Sequence, residues 1–127
     1  LAGVCQCLGQ HGINLRALSL ADASDFGVLR VIVNNPDETL RVLKHEGFAA
    51  SATEVLAVEV PDRPGGLGEV LALLHRAGIN VEYMYAFVER TGAGALVVMR
   101  VEQREAAARA LGDAGIRLLS EADIIAL

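Results

Sequence analysis

The chain has 127 residues, 53% of them hydrophobic, and a formal net charge of −5. That length allows one domain or two very small ones sharing a core, and the apolar fraction excludes intrinsic disorder. No uninterrupted apolar run nears the roughly 20 residues that cross a bilayer, no basic segment leads into a secretory-type apolar stretch, and ten Arg with a single Lys, Lys44, form no cluster of the kind that neutralises nucleic-acid phosphates.

In chain order, Leu1, Val4, Leu8 and Ile13 begin an apolar spacing that suits a helix face, and Gly12 marks its end. Cys5 and Cys7 lie on this segment and are expected as buried helix positions. Two residues apart on a helix they point about 200° away from each other, so no disulfide joins them, and a reduced, cytoplasmic setting follows. "GINLRALSLADASDFG" then leads through a polar turn into the strand-like "VLRVIV" at 28–33. Ser19, Asp22, Ser24 and Asp25 are open to ligand-binding or turn roles, with the turn favoured for the last two. Asn35 as N-cap, Pro36 at N1 and Glu38 at N3 predict the next helix, in a capping-box-like start. Residues 49–60 have to supply the last strand of the first half and the first strand of the second. Glu54–Val60 is β-rich, and Leu67, Val70, Leu71 and Leu74 recur at helical spacing until Gly78. Strands are predicted at about 80–89 and 95–101 around a "TGAG" turn, followed by a helix at about 103–114 that stops at Gly115 and a last strand running toward Leu127.

The chain repeats itself. "QHGINLRALSLA" at 10–21 lies over "RAGINVEYMYAF" at 76–87 with an offset of 66, so Leu1, Val4, Leu8 and Ile13 fall on Leu67, Val70, Leu74 and Ile79. Further on, the offset is 68: "VLRVIV" at 28–33 meets "LVVMRV" at 96–101, and Leu43, Gly47 and Phe48 meet Leu111, Gly115 and Ile116. The order in each copy is β-α-β-β-α-β, the ferredoxin-like split βαβ arrangement of the α+β class. The expected division is 1–53 and 54–127. The first copy lacks its opening strand and loop, which would leave an open sheet edge, so the natural protein is expected to be longer.

The most informative stretch is "VPDRPGGLGEVL" at 60–71. Pro61 and Pro64 stiffen it, and Gly65, Gly66 and Gly68 permit close backbone approaches at a helix N-terminus, which suits a carboxylate or a phosphate. The Lys and the Ser or Thr of a nucleotide-binding P-loop are missing, and the glycine order does not match a dinucleotide fingerprint. A tight turn without a ligand is the other reading of the pattern. No catalytic triad, nucleophile elbow or cofactor fingerprint emerges. C-x-C with His11, His45 and His75 scattered makes a poor zinc pattern, so no metal and no cofactor are expected. Glu102, Glu105, Glu121 and Asp123 read as cap and surface charges.

The strand ending in D-x-P-G-x-L, the amphipathic helix, and the Gly-Ile-Asn corner opening the next strand resemble the ACT domain, a small regulatory module of amino-acid metabolism. The wording "GIN…LSLADASDFG" and "GINVEYMYAF" is similar to stand-alone proteins made of two such domains side by side with joined sheets. The resemblance covers the whole chain, most closely in the second copy. It implies an amino acid bound where two copies meet, held by Asp62, Arg63, Pro64, Gly65, Gly66 and Leu67 of the loop and by Asn80 and, through the repeat, Asn14. Asp62 and Arg63 could equally be a solvated turn pair, and each Asn a corner residue. On a strand Val81, Tyr83, Tyr85 and Phe87 share a face, expected to pack on the helices or line a sheet-to-sheet seam. Tyr83 and Ser19 are further ligand-facing candidates. The expected function is a non-catalytic regulator that binds a free amino acid, associates as a homodimer and passes occupancy to a partner such as an amino-acid-metabolism enzyme. The alternative is an oligomerisation or docking subunit without its own ligand. Neither nucleic acid nor membrane is expected as a partner.

Overall fold

The computed structural model describes residues 1–22, 27–87 and 94–125. Contacts divide the chain into two units, Leu1–Thr53 and Glu54–Ala126.

Unit 1 contains α1 (Ala2–Gln10), β1 (Leu15–Asp22), β2 (Gly27–Val33) and α2 (Pro36–His45), with β1 and β2 paired antiparallel. Cys7, Leu8, Ile13, Val33, Val42 and Leu43 form its buried cluster. Helix α2 starts as its sequence predicts. Pro36 needs no amide partner in the first turn, and the Asn35 side chain accepts from the Glu38 amide at 3.2 Å. The box is only half made, because the Glu38 carboxylate is engaged by Arg41, whose Nε donates to it at 2.9 Å. Of the two cysteines Cys7 is buried and Cys5 is exposed, against the expectation for Cys5, and both are free thiols. Val4, Cys7 and Leu8 share the stripe that meets the core, and Cys5 lies outside it.

Unit 2 contains β3 (Leu56–Pro61), α3 (Gly66–Arg76), β4 (Val81–Ala86), β5 (Gly94–Val101), α4 (Arg104–Asp113), β6 (Leu118–Leu119) and α5 (Glu121–Ile125). Its sheet runs β4-β5-β3-β6, all neighbours antiparallel, as a split βαβ unit requires. Leu56, Val58 and Val60 of β3 and Val97, Met99 and Val101 of β5 turn one face toward Val70 and Leu74 of α3 and Ala107 and Leu111 of α4. Each fully buried Leu or Val there contributes about 1.5–3 kcal/mol relative to exposure.

All four long helices end alike. Gly12, Gly47, Gly78 and Gly115 have φ between 71° and 84°. The amide of the next residue returns to the carbonyl five back: Ile13 to Leu8, Phe48 to Leu43, Ile79 to Leu74 and Ile116 to Leu111, at 2.9–3.0 Å. These are Schellman ends, in which only glycine adopts the left-handed φ without strain, and the apolar residue after it covers the helix end. A short pattern therefore sets each helix-to-strand corner.

The strand that follows α1 and the strand that follows α3 share a bulge. Register shifts between Leu15 and Ala17 in β1 and between Val81 and Tyr83 in β4, leaving Arg16 and Glu82 as the extra residues, again 66 apart. The bulge turns over every later side chain. Val81 stays with the helix-side core, but Tyr83 lies opposite Arg100, and Tyr85 lies opposite Val98, on the face away from the helices. Of the two expectations for Val81, Tyr83, Tyr85 and Phe87, packing on the helices is corrected for Tyr83 and Tyr85, and Val81 does not share their face. Alternation alone carries no sign of an inserted residue.

Two terminal strands also differ from expectation. Residues 49–55 adopt no regular structure. In unit 2 the last strand pairs only with β3, the opening strand of its own unit, and copy one in this chain lacks that partner. The final segment gives two strand residues and then α5, where an extended run toward Leu127 was expected. Ser120 and Asp123 explain the switch: the Asp123 carboxylate accepts from the Ser120 amide at 2.9 Å, and the Ser120 hydroxyl accepts from the Asp123 amide at 3.2 Å. This reciprocal capping box starts a helix. The turn residues Ser24 and Asp25 and most of "TGAG" lie outside the described residues.

Candidate functional site

The loop 62–67 joins the end of β3 to the start of α3. Two turns fold it tightly: the Arg63 amide donates to Pro61 O at 3.0 Å and the Gly66 amide to Arg63 O at 2.9 Å. Gly66 is buried against the strand end, where a Cβ would stand 2.0 Å from Pro61 O. No other residue fits without moving the backbone. The loop thus holds the first turn of α3, whose N–H groups have no partners within the helix, next to exposed Asp62, Arg63 and Pro64. Arg63 pairs with Glu69 at 2.8 Å, with both side chains more than half exposed. Such a surface pair is worth about 0–1 kcal/mol, so the guanidinium is free to exchange its partner for a ligand carboxylate.

Asn14 and Asn80 occupy equivalent exposed corners directly after the Schellman ends of α1 and α3. The Asn14 amide donates to the Asn34 side chain at 3.1 Å, and the Asn34 amide returns to Asn14 O at 3.4 Å. In unit 2 the Asn34 position is Glu102, whose amide donates to Asn80 O at 3.4 Å and whose carboxylate accepts from Asn80 Nδ2 at 3.4 Å. The loop precedes α3 and Asn80 follows it. Eleven helical residues separate them, about 16 Å at 1.5 Å per residue. Unit 2 therefore does not bring its own loop and its own Asn80 together.

Tyr83 and Tyr85 are half-buried, with ring centroids 6.4 Å apart and planes 18° from parallel. Ser19 is the repeat equivalent of Tyr85 and lies opposite Arg30 in β1–β2. Both therefore occupy the sheet face away from the helices. Across the β4 bulge, Glu82 accepts from Arg100 Nε at 2.8 Å.

Sequence reasoning missed a cleft of about 350 Å³ in unit 2, lined by Glu59, Pro61, Gly94, Gly115, Ile116 and Arg117. Arg117 Nη1 donates to Glu59 Oε2 at 3.0 Å. The alternation Val58-Glu59-Val60 does put Glu59 on the face opposite the helices, but its pairing with Arg117 is a tertiary fact.

Among the described residues, the clear shifts in acidity belong to exposed groups. The Arg41 hydrogen bond holds the Glu38 carboxyl below its ordinary range, and the Ser120 amide and hydroxyl do the same for Asp123. Among the described residues no group of His, Cys, Asp and Glu is placed to hold a metal ion. No helix of the described residues is long and apolar enough to cross a membrane.

The chain is similar over residues 1–127 to the family described as an ACT domain pair. No curated protein matches it. Among solved structures, a crystal structure of a protein from Bacteroides thetaiotaomicron is 35% identical, with a TM-score of 0.91 over 99% of this chain and 86% of that one. The regulatory subunit of aspartate kinase from Thermus flavus is 19% identical, with a TM-score of 0.54 over 90% of this chain and 82% of that one, a likeness of fold alone. Two ferredoxin-like units that share a Gly-Ile-Asn corner, matched over residues 1–127, place this chain in the ACT domain pair family.

Proposed function

We propose that the protein is a non-catalytic cytoplasmic regulator whose loop 62–67 binds a free amino acid where two ACT units meet, and that occupancy is passed to a partner protein. The observation that carries this reading is the loop itself: Gly66 seated on Pro61 O fixes the first turn of α3, whose amides have no carbonyl partners within the helix, beside Asp62 and Arg63. The amides and Arg63 suit a ligand α-carboxylate, and Asp62 suits an α-ammonium. Asn80 lies at the far end of α3, so the second set of polar groups comes from another unit: Asn14 of the first copy, or Asn80 of a second chain in a homodimer. Ser19 and Tyr83 complete the strand-side candidates. A ligand bridging two units stabilises their packed arrangement by about 2.7 kcal/mol at one hundred times Kd, and any partner that distinguishes the arrangements feels that bias.

Calorimetry of the chain against the twenty amino acids tests the reading. One of them, or a chemically related few, is expected to give heat and a rise in melting temperature, and both are expected to disappear with Asp62→Ala. No heat and no shift with any of the twenty rejects it. The second reading, a docking subunit of an amino-acid-metabolism enzyme with no ligand of its own, draws support from Leu18 and Leu20, 48% and 56% exposed on β1. It predicts co-purification of an enzyme that no amino acid strengthens or weakens.

A further inference from the structure

The cleft beside β3 has features that a surface ion pair does not require. Glu59 on β3 and Arg117, the residue directly before β6, lie side by side, with the Glu59 amide donating to Arg117 O at 2.9 Å, so the backbone presents both charges together. Gly94, on the facing strand, leaves space for the carboxylate: a Cβ there would stand 2.4 Å from Glu59 Cγ and 2.9 Å from its Oε1. The Glu59 side chain is 21% exposed and that of Arg117 61%. Pro61, Gly115 and Ile116 supply the remaining walls. Copy one offers no equivalent, since Gly47 and Phe48 align with Gly115 and Ile116 and the next residue, Ala49, takes the place of Arg117.

We infer that this cleft is a second small-molecule site, separate from the loop 62–67, and that its ligand is a small zwitterion. The carboxylate of the ligand pairs with Arg117 and its ammonium with Glu59. Charge balance selects this class. A simple anion on Arg117 would leave the mostly buried Glu59 carboxylate without its counter-charge, and a simple cation on Glu59 would displace the exposed Arg117 guanidinium toward solvent and Asp123 without using its donors. A zwitterion replaces one ion pair by two and strands neither group. The volume, about 350 Å³, is at the small end of ligand pockets, of order 300–1,000 Å³, which suits a molecule of amino-acid size.

Amide and arginine side-chain NMR spectra of the whole chain, titrated with glycine, acetate and methylammonium, test the inference. Glycine is expected to move the signals of Gly94, Gly115, Ile116 and Arg117 Nε–H, while acetate and methylammonium leave them in place. Arg117→Gln and Glu59→Gln should each weaken glycine at this site at least ten-fold, with the remaining spectrum unchanged. Asp62→Ala should not affect it, which separates this site from the loop. The inference is overturned if glycine leaves these signals in place, if acetate moves them as far as glycine does, or if Arg117→Gln binds glycine as the wild type does.

Discussion

Unit 1 and unit 2 share a frame and differ in what they display on it. Both contain a Schellman-ended helix, an Ile-Asn corner and a bulge four residues after the helix-ending glycine. Beyond the bulge they part: Ala17 and Ser19 in one copy occupy the places of Tyr83 and Tyr85 in the other. Asn35 caps α2 through its side chain, while Gln103 makes no such bond to α4. The backbone devices recur because each is a local solution to a steric or hydrogen-bonding demand. None of these devices depends on the side chains of the strand face away from the helices, and there the copies differ: Ala17 is fully buried where Tyr83 is half-buried. Unit 1 also has the thinner support: among the described residues, a two-stranded sheet and six buried cluster residues, against four strands and eleven in unit 2.

The strongest test of that contrast is the pair Leu74→Ala and Leu8→Ala, equivalent positions each 1% exposed. Large-to-small core changes cost about 2–5 kcal/mol, less where the site can collapse. Leu74→Ala is expected near the top of that range and Leu8→Ala near the bottom, read by hydrogen exchange within each unit. Equal losses would refute the view of unit 1 as the looser body. Next, Gly66→Ala should destabilise unit 2 by about 1–3 kcal/mol through its clash with Pro61 O. Gly68→Ala, with no atom within 4 Å of the new Cβ, should stabilise α3 by up to about 1 kcal/mol. Denaturant midpoints that move the same way for both would show that the close approach at Gly66 is not what holds the loop. For the caps, Asn35→Ala should cost about 1 kcal/mol and Gln103→Ala much less, a difference visible in the thermal melting of the two variants.

The smallest effect is the pH dependence of the capping box in unit 2. Hydrogen bonds from Ser120 hold the Asp123 carboxyl below its ordinary value, so its folded pKa is depressed relative to the unfolded chain. Its contribution is therefore present above the unfolded value and is lost as the pH falls through the folded one. Exchange of the α5 amides should speed up over that acid window, and Asp123→Asn should remove the dependence. An unchanged profile in Asp123→Asn would mean the box is not what titrates.

Much of the frame was legible because its signals are local. Gly12, Gly47, Gly78 and Gly115 each precede an apolar residue, and Asn35-Pro36 announces α2. The offset of 66 to 68 exposed the duplication, and the split βαβ order followed from the elements in sequence. Ser120-x-x-Asp123 is an equally local signal, and as a reciprocal cap it turns the expected strand into α5. The bulges left no mark, because an extra residue in a strand looks like any other strand residue until its partner strand is present. Cys5 was misplaced for a related reason: the repeat alignment transfers a position on a helix but not the width of the stripe that its core covers.

The sequence by itself determined the duplication, the helix ends, the α2 cap and the stiff glycine-rich loop, since each depends on backbone conformations that a few neighbouring residues impose. Tertiary structure alone decided which face the tyrosines occupy, which strand pairs with the chain's last one, and that Glu59 meets Arg117. Each of these depends on register or on contact between residues distant in the chain, and strand pairing is the only thing that sets it.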